Sequence, residues 1–176
     1  RIKMDGFVYT EGGKEINIPS IDVSVTRSKS YDRFVIESSM GHAVLEGKLD
    51  LNQLVKTVEQ QFAGVLPALV RKEQVEKRGV NSDHFTFDIE LYNTDNIFAI
   101  FLPTVRVAPK TTIKGMYFGE ELHFTADLNS DKVEIGETYI DELSISQDID
   151  STSLSMMINA DKYTYNDSLK FYDVQF

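Results

Sequence analysis

Apolar residues recur at every second position over most of this chain, and that spacing belongs to extended backbone, whose successive side chains leave opposite faces. Phe85, Phe87, Ile89 and Leu91 alternate with Thr86, Asp88 and Glu90, and Leu122, Phe124, Ala126 and Leu128 alternate with His123, Thr125 and Asp127. Shorter runs obey the same rule at Ile16/Ile18, Ile21/Val23/Val25, Phe34/Ile36, Leu45/Gly47/Leu49, Ile113/Gly115/Tyr117, Leu143/Ile145 and Leu154/Met156/Ile158. Gly12-Gly13, Asn129-Ser130-Asp131 and Asn166-Asp167-Ser168 read as turns between runs. The expected fold is therefore mainly β, an antiparallel sheet that is elongated or curved.

One segment changes period. Leu51, Leu54, Val55, Val58, Phe62, Val65, Leu66 and Leu69 follow helical spacing, with Asp50 as N-cap, Gln53 three residues on and Gly79 as terminator. The spacing predicts one long amphipathic helix over about 51–78, covering a sheet and kinked near Pro67, where an N–H is missing and the ring meets the preceding turn. A shorter helical turn is expected from Asn96 to Leu102, started by Asp95 and stopped at Pro103.

The chain also repeats itself. Leu45-Glu46-Gly47-Lys48-Leu49 and Ile113-Lys114-Gly115-Met116-Tyr117 share an apolar-x-Gly-x-apolar signature. Ile16-x-Ile18, Val23-x-Val25 and Phe34-x-Ile36 return in the same order as Val133-x-Ile135, Leu143-x-Ile145 and Leu154-x-Met156. These matches divide the chain into approximate repeat units 1–120 and 121–176, the second incomplete. Each unit would leave a sheet edge open, which the next unit satisfies by stacking. Arg1 at one end and the strand-like Val174-Gln175-Phe176 at the other read as cuts, so 1–176 is expected to be an interior fragment of a longer repeat protein.

Composition narrows the function. A net charge of −10 without a basic stripe argues against nucleic acid, and Arg71, Lys72, Lys77 and Arg78, interleaved with Glu73 and Glu76, read as a solvated helix face. With no cysteine there are no disulfides, thiolate ligands or thiol nucleophiles. No run approaches the roughly 20 apolar residues of a membrane span.

Catalytic constellations are missing as well, and no enzyme activity, metal or cofactor is expected. His42, His84 and His123 stand far apart on the polar phase of strands, and no phosphate loop, zincin signature or nucleophile elbow occurs. Gly12-Gly13-Lys14 lacks the rest of a phosphate loop and reads as a hairpin turn. Asp127 to Asp131 begins like a calcium loop, but Lys132 stands where glycine is needed and Thr138 where a bidentate glutamate is needed, so it reads as a turn. Glu120-Glu121 and Asp141-Glu142 read as solvated edges, because neighbours on a strand cannot converge on one bond.

Taken with the order sheet, helix, sheet, Pro, sheet, the stretches Leu45 to Leu51, Leu51 through Pro67, Phe85 to Leu91, Ile97 to Pro103, Ile113 to Tyr117 and Leu122 to Ile145 resemble the TamB-type translocation and assembly module family. The likeness is to its long Bacteroides-like versions, within the AsmA-like superfamily. The resemblance implies a parent anchored by one helix in the inner membrane, a long curved β-structure crossing the periplasm, and a C-terminal region engaging an outer-membrane barrel protein. It implies a non-enzymatic role in phospholipid transport or outer-membrane protein assembly along an apolar groove, in the periplasm or cell envelope. The helix departs from an uninterrupted groove and would plug or line it.

Two readings of the apolar strand faces stay open. Phe85, Phe87, Ile89, Leu91, Leu122, Phe124 and Leu128 are candidate contacts for lipid acyl chains, which need a continuous apolar strip with few polar anchors. The alternative is a structural or adhesive β-sandwich repeat of a cell-envelope protein, in which the same residues form a closed core under the helix.

Overall fold

The computed structural model describes residues 1–11, 13–29, 31–48, 82–95, 98, 104–166 and 168–176. The alternating runs become the strands β1 (Ile2–Glu11), β2 (Lys14–Arg27), β3 (Asp32–Ser38), β4 (Gly41–Lys48), β5 (His84–Leu91), β6 (Val105–Val107), β7 (Thr111–Phe118), β8 (His123–Ile135), β9 (Thr138–Ile149), β10 (Leu154–Tyr165) and β11 (Leu169–Gln175). They form one 11-stranded sheet in the order β1-β2-β3-β4-β5-β7-β8-β9-β10-β11, every pairing antiparallel. Strand β6 lies off this path and pairs with Val133 to Ile135, the part of β8 beyond the reach of β7. Most successive strands are joined by short connections, which favour pairing in chain order; β4 and β5 pair across the longer stretch 49–83.

The expectation of a sheet covered by one long amphipathic helix is corrected, because the described elements are all strands. The helical spacing at 51–78, including the kink at Pro67, lies outside the described residues. Of the shorter turn expected at 96–102, most also lies outside them, and what is described is one bond from the Phe98 N–H to the Thr94 carbonyl (2.8 Å).

Two further readings change. Asn129-Ser130-Asp131 is not a turn but the middle of β8. The Ser130 hydroxyl is buried, shares a 2.7 Å hydrogen bond with the Thr111 hydroxyl and donates to the Lys132 carbonyl (2.9 Å), so turn-prone residue types are held in a ladder by side-chain bonding. Leu122, expected to open the strand, precedes β8 with φ +52°, and Glu120-Glu121 stand with it in the β7–β8 connection.

Candidate functional site

In an antiparallel sheet, residues in register share a face, so one apolar residue per strand in register draws a line across the whole sheet. Ile2, Val23, Ile36, Ala43, Ile89, Ile113, Leu128, Ile145 and Ile158 form such a row, each paired with the next. Two residues along, Val25, Phe34, Leu45, Phe87, Gly115, Ala126, Gln147 and Met156 form a second row on the same face. Phe85, Tyr117, Phe124, Ile149 and Leu154 continue it as a third.

Aromatic rings fill the middle of this face. Phe85, Tyr117, Phe124 and Ile149 are buried together at 3–6% exposure, with Phe87 and Ala126 packed against them. The Phe87 ring stacks on Phe124 at 5.9 Å and 16°, and Phe85 tilts on Tyr117 at 5.5 Å. The glycines of the repeated signature give close approach, Gly115 to a ring and Gly47 to the neighbouring backbone. Gly47 stands directly opposite Phe85 and Gly115 directly opposite Phe87. A Cβ on Gly115 would strike the Phe87 ring and the Thr125 carbonyl, and one on Gly47 would strike the His84 carbonyl and the Phe85 backbone.

Beyond the row through Leu91, Thr111, Leu143 and Ala160, the ladders skip a pair. Ser130↔Leu143 is followed by Lys132↔Asp141, Asn159↔Ser144 by Lys162↔Asp141, and Ala160↔Val174 by Lys162↔Tyr172. Glu142 (φ +53°) and Asp173 (φ +53°) sit in the skipped places, and the register is the same on either side, so the ladder loses a residue from both strands at once. The skip moves the apolar set by one position without moving it to the other face. Val133 and Ile140 thus join Leu143, Ala160, Val107 and Val174 in one cluster, and Tyr163 meets Phe171 at 6.1 Å beside it.

Comparisons with protein-family models, curated proteins and solved structures give no match. The surfaces of the chain itself therefore carry the functional reading.

The opposite face is laced with cross-strand ion pairs, with Val35, Val44, Met116 and Phe118 among them. Arg33 faces Glu46 (3.6 Å), Lys114 faces Asp88 (2.9 Å) and the His42 imidazole faces Glu37 (2.7 Å), each pair in direct register. Arg33, His42, Glu46, Asp88 and Lys114 line a trough of about 560 Å³ with Thr86, Glu90 and Thr112. The trough is a solvated surface in which Arg33 and Lys114 offset Glu46 and Asp88. Further along, His123 pairs with Asp148 (2.9 Å), and the Phe118 ring lies between the His123 and His84 rings at 6.4 Å from each. Among the described residues no group of three or more His, Asp or Glu side chains is placed to hold a metal ion, and no helix is long and apolar enough to cross a membrane.

Six of the seven candidate lipid contacts lie on the apolar face: Phe85 and Phe124 within the buried aromatic cluster, and Phe87, Ile89, Leu91 and Leu128 half-buried around it. Leu122 stands apart in the β7–β8 connection. Val23, Ile36, Ile113, Ile145 and Ile158 belong to the same row as Ile89 and Leu128; alternation marks each within its own strand but does not single them out as lipid contacts. Only the pairing order brings them together. Gln147 is a polar exception on this face, 4% exposed, with its amide nitrogen lacking a hydrogen-bond partner.

Proposed function

We propose that this chain is a non-enzymatic module of a periplasmic TamB/AsmA-like protein, contributing to phospholipid transport or outer-membrane protein assembly by holding acyl chains against its apolar sheet face. One observation carries the reading: the row from Ile2 to Ile158 crosses nine consecutive pairing partners without a charged residue. A hydrocarbon chain needs such a strip and little else. Parts of that face stay open to solvent, with Ile36, Val25, Leu154, Tyr165 and Phe171 each 36–59% exposed. A contiguous apolar strip that remains exposed is a surface for binding rather than a finished core. The partner is a lipid acyl chain or, through the parent chain, an outer-membrane barrel protein, and the setting is the cell envelope.

Native mass spectrometry of gently purified protein tests this. The expected result is co-purified phospholipid that is lost in Ile36→Glu while circular dichroism is retained. Absence of lipid at every stoichiometry would end the reading. The closed-core alternative, a structural or adhesive repeat, is favoured by the 3–6% exposure of Phe85, Tyr117, Phe124 and Ile149. It requires a compact shape in small-angle scattering, whereas the acyl-binding reading requires an elongated one.

A further inference from the structure

On the face opposite the apolar rows, the trough is built by β3, β4, β5 and β7. The ladders joining these strands run without a skip, so each lining side chain stands directly opposite a partner on the next strand. Side chains carried on strands hold their positions more closely than those on loops.

Two groups in the trough are left unbonded. Glu90 lies in register between His42 and Thr112, half-buried, and its carboxylate makes no hydrogen bond or ion pair with any described residue. The Thr112 hydroxyl beside it, also half-buried, is likewise without a bond among the described residues. The His42 imidazole is engaged by Glu37 at 2.7 Å. Drawing a carboxylate partly out of water without a partner costs free energy, and a donor brought by a ligand offsets that cost.

The signs of charge decide which ligand can bring it. Arg33 and Lys114 share the trough with Glu46, Asp88 and Glu90, each cation set against a carboxylate of the adjoining strand (3.6 and 2.9 Å). An anion would meet three carboxylates on a chain of net charge −10, and a polyamine would meet both cations. A neutral ligand meets neither obstacle. The lining offers it acceptors and donors side by side: Glu90 by Thr112, Asp88 by Lys114, and Glu46 by Arg33 and Thr86. A hydroxyl donates one hydrogen bond and accepts others, so adjacent hydroxyls on a sugar ring match such pairs, one donating to the carboxylate and the next accepting from the cation. Ion pairs this exposed add little to stability, and their charged atoms stay open to a ligand.

Size and walls agree with this chemistry. About 560 Å³ lies in the range of small-molecule sites. Val44 supplies an apolar contact among the polar groups. Two residues beyond Thr86 on the same face, the His84 ring lies nearly parallel to Phe118 (5°), which is 39% exposed and adds ring surface there.

We infer that the trough binds a neutral oligosaccharide, with the Glu90 carboxylate and the Thr112 hydroxyl as its central contacts. The site lies on the face opposite the acyl strip and does not depend on acyl binding.

Amide NMR titration of the full chain tests this, with maltotriose, cellotriose, mannotriose and triacetylchitotriose as neutral probes and spermidine and inorganic phosphate as charged ones. At least one trisaccharide is expected to bind at millimolar concentration and to shift the amides of Asp88, Glu90, Thr112 and Lys114, while the charged probes leave them in place. Glu90→Gln and Thr112→Val are each expected to weaken that trisaccharide several-fold with the circular dichroism unchanged. Ile36→Glu, on the acyl face, is expected to bind it as the native chain does. Failure of all the trisaccharides, a stronger response to spermidine or phosphate, shifts confined to the apolar face, or undiminished binding by both trough variants would overturn the inference.

Discussion

Glycine in a strand usually weakens it, and in this sheet Gly115 is the reason the Phe87 ring fits. Gly115 leaves the space opposite Phe87 empty of any side chain and the Phe87 ring fills it, while Gly47 lets the His84–Phe85 backbone come close. Gly115→Ala is expected to destabilise the fold by about 1–3 kcal/mol, the range for an overpacked core, because the obstruction includes the rigid Thr125 carbonyl. Urea unfolding checks it. Asp150 is a different kind of single-residue device. Its carboxylate accepts from the Thr152 N–H (2.6 Å) and hydroxyl (2.8 Å) and from the Ser153 N–H (2.7 Å) and hydroxyl (2.9 Å), closing the β9–β10 hairpin. These donors, the Thr152 N–H first, hold its pKa well below the ordinary carboxylate value. A depressed folded-state pKa contributes stability above the unfolded pKa, near pH 4, and that contribution is lost as pH falls below it. The stability difference between the native chain and Asp150→Asn, read from thermal melts between pH 7 and 3, is expected to shrink as pH drops.

A strand's register is decided where residues from two elements must agree. Arg27 with Asp32, Arg33 with Glu46, Lys114 with Asp88, Arg106 with Glu134 and Lys162 with Asp141 are ion pairs between residues directly opposite. Each is exposed and individually weak, yet a shift by one residue would break every one of them and turn the apolar rows to water. The line of skipped pairs imposes a cost of its own, since Glu142 holds φ +53° without being glycine. Glu142→Gly is expected to stabilise by about 0.5–1 kcal/mol in denaturant unfolding, because glycine occupies that region without a Cβ clash. Such skipped pairs explain part of what sequence reading could and could not recover. Phe85 to Leu91 was legible because β5 alternates without interruption. Ile16/Ile18 and Ile21/Val23/Val25 looked like separate strands because the phase slips between them inside one strand, β2. Asn129 to Asp131 looked like a turn because residue type says nothing of the Thr111 hydroxyl waiting across the sheet. β1 lacks a clean alternation and was not foreseen.

Pairing order is a property of the whole sheet, and alternating runs alone do not encode it, since any half-buried strand can face any other. The apolar residues of the candidate face were therefore legible one strand at a time, while the row that unites them was not. In the folded chain each strand of the main path touches essentially its two neighbours, which makes the sheet quasi-one-dimensional. Stability should then be graded along it. Native-state hydrogen exchange is expected to find the slowest amides in β5, β7, β8 and β9, around the buried aromatic cluster, and the fastest in β1 and β11. Uniform protection across all strands would contradict this. Such neighbour-only architecture also leaves a mark on how the protein can change over generations. Deleting or duplicating one hairpin removes or adds two strands, restores the same up-down polarity at the cut, and leaves every remaining ladder with its old partner, so descendants of this chain can differ in width by pairs of strands while each residue that stays keeps its surroundings.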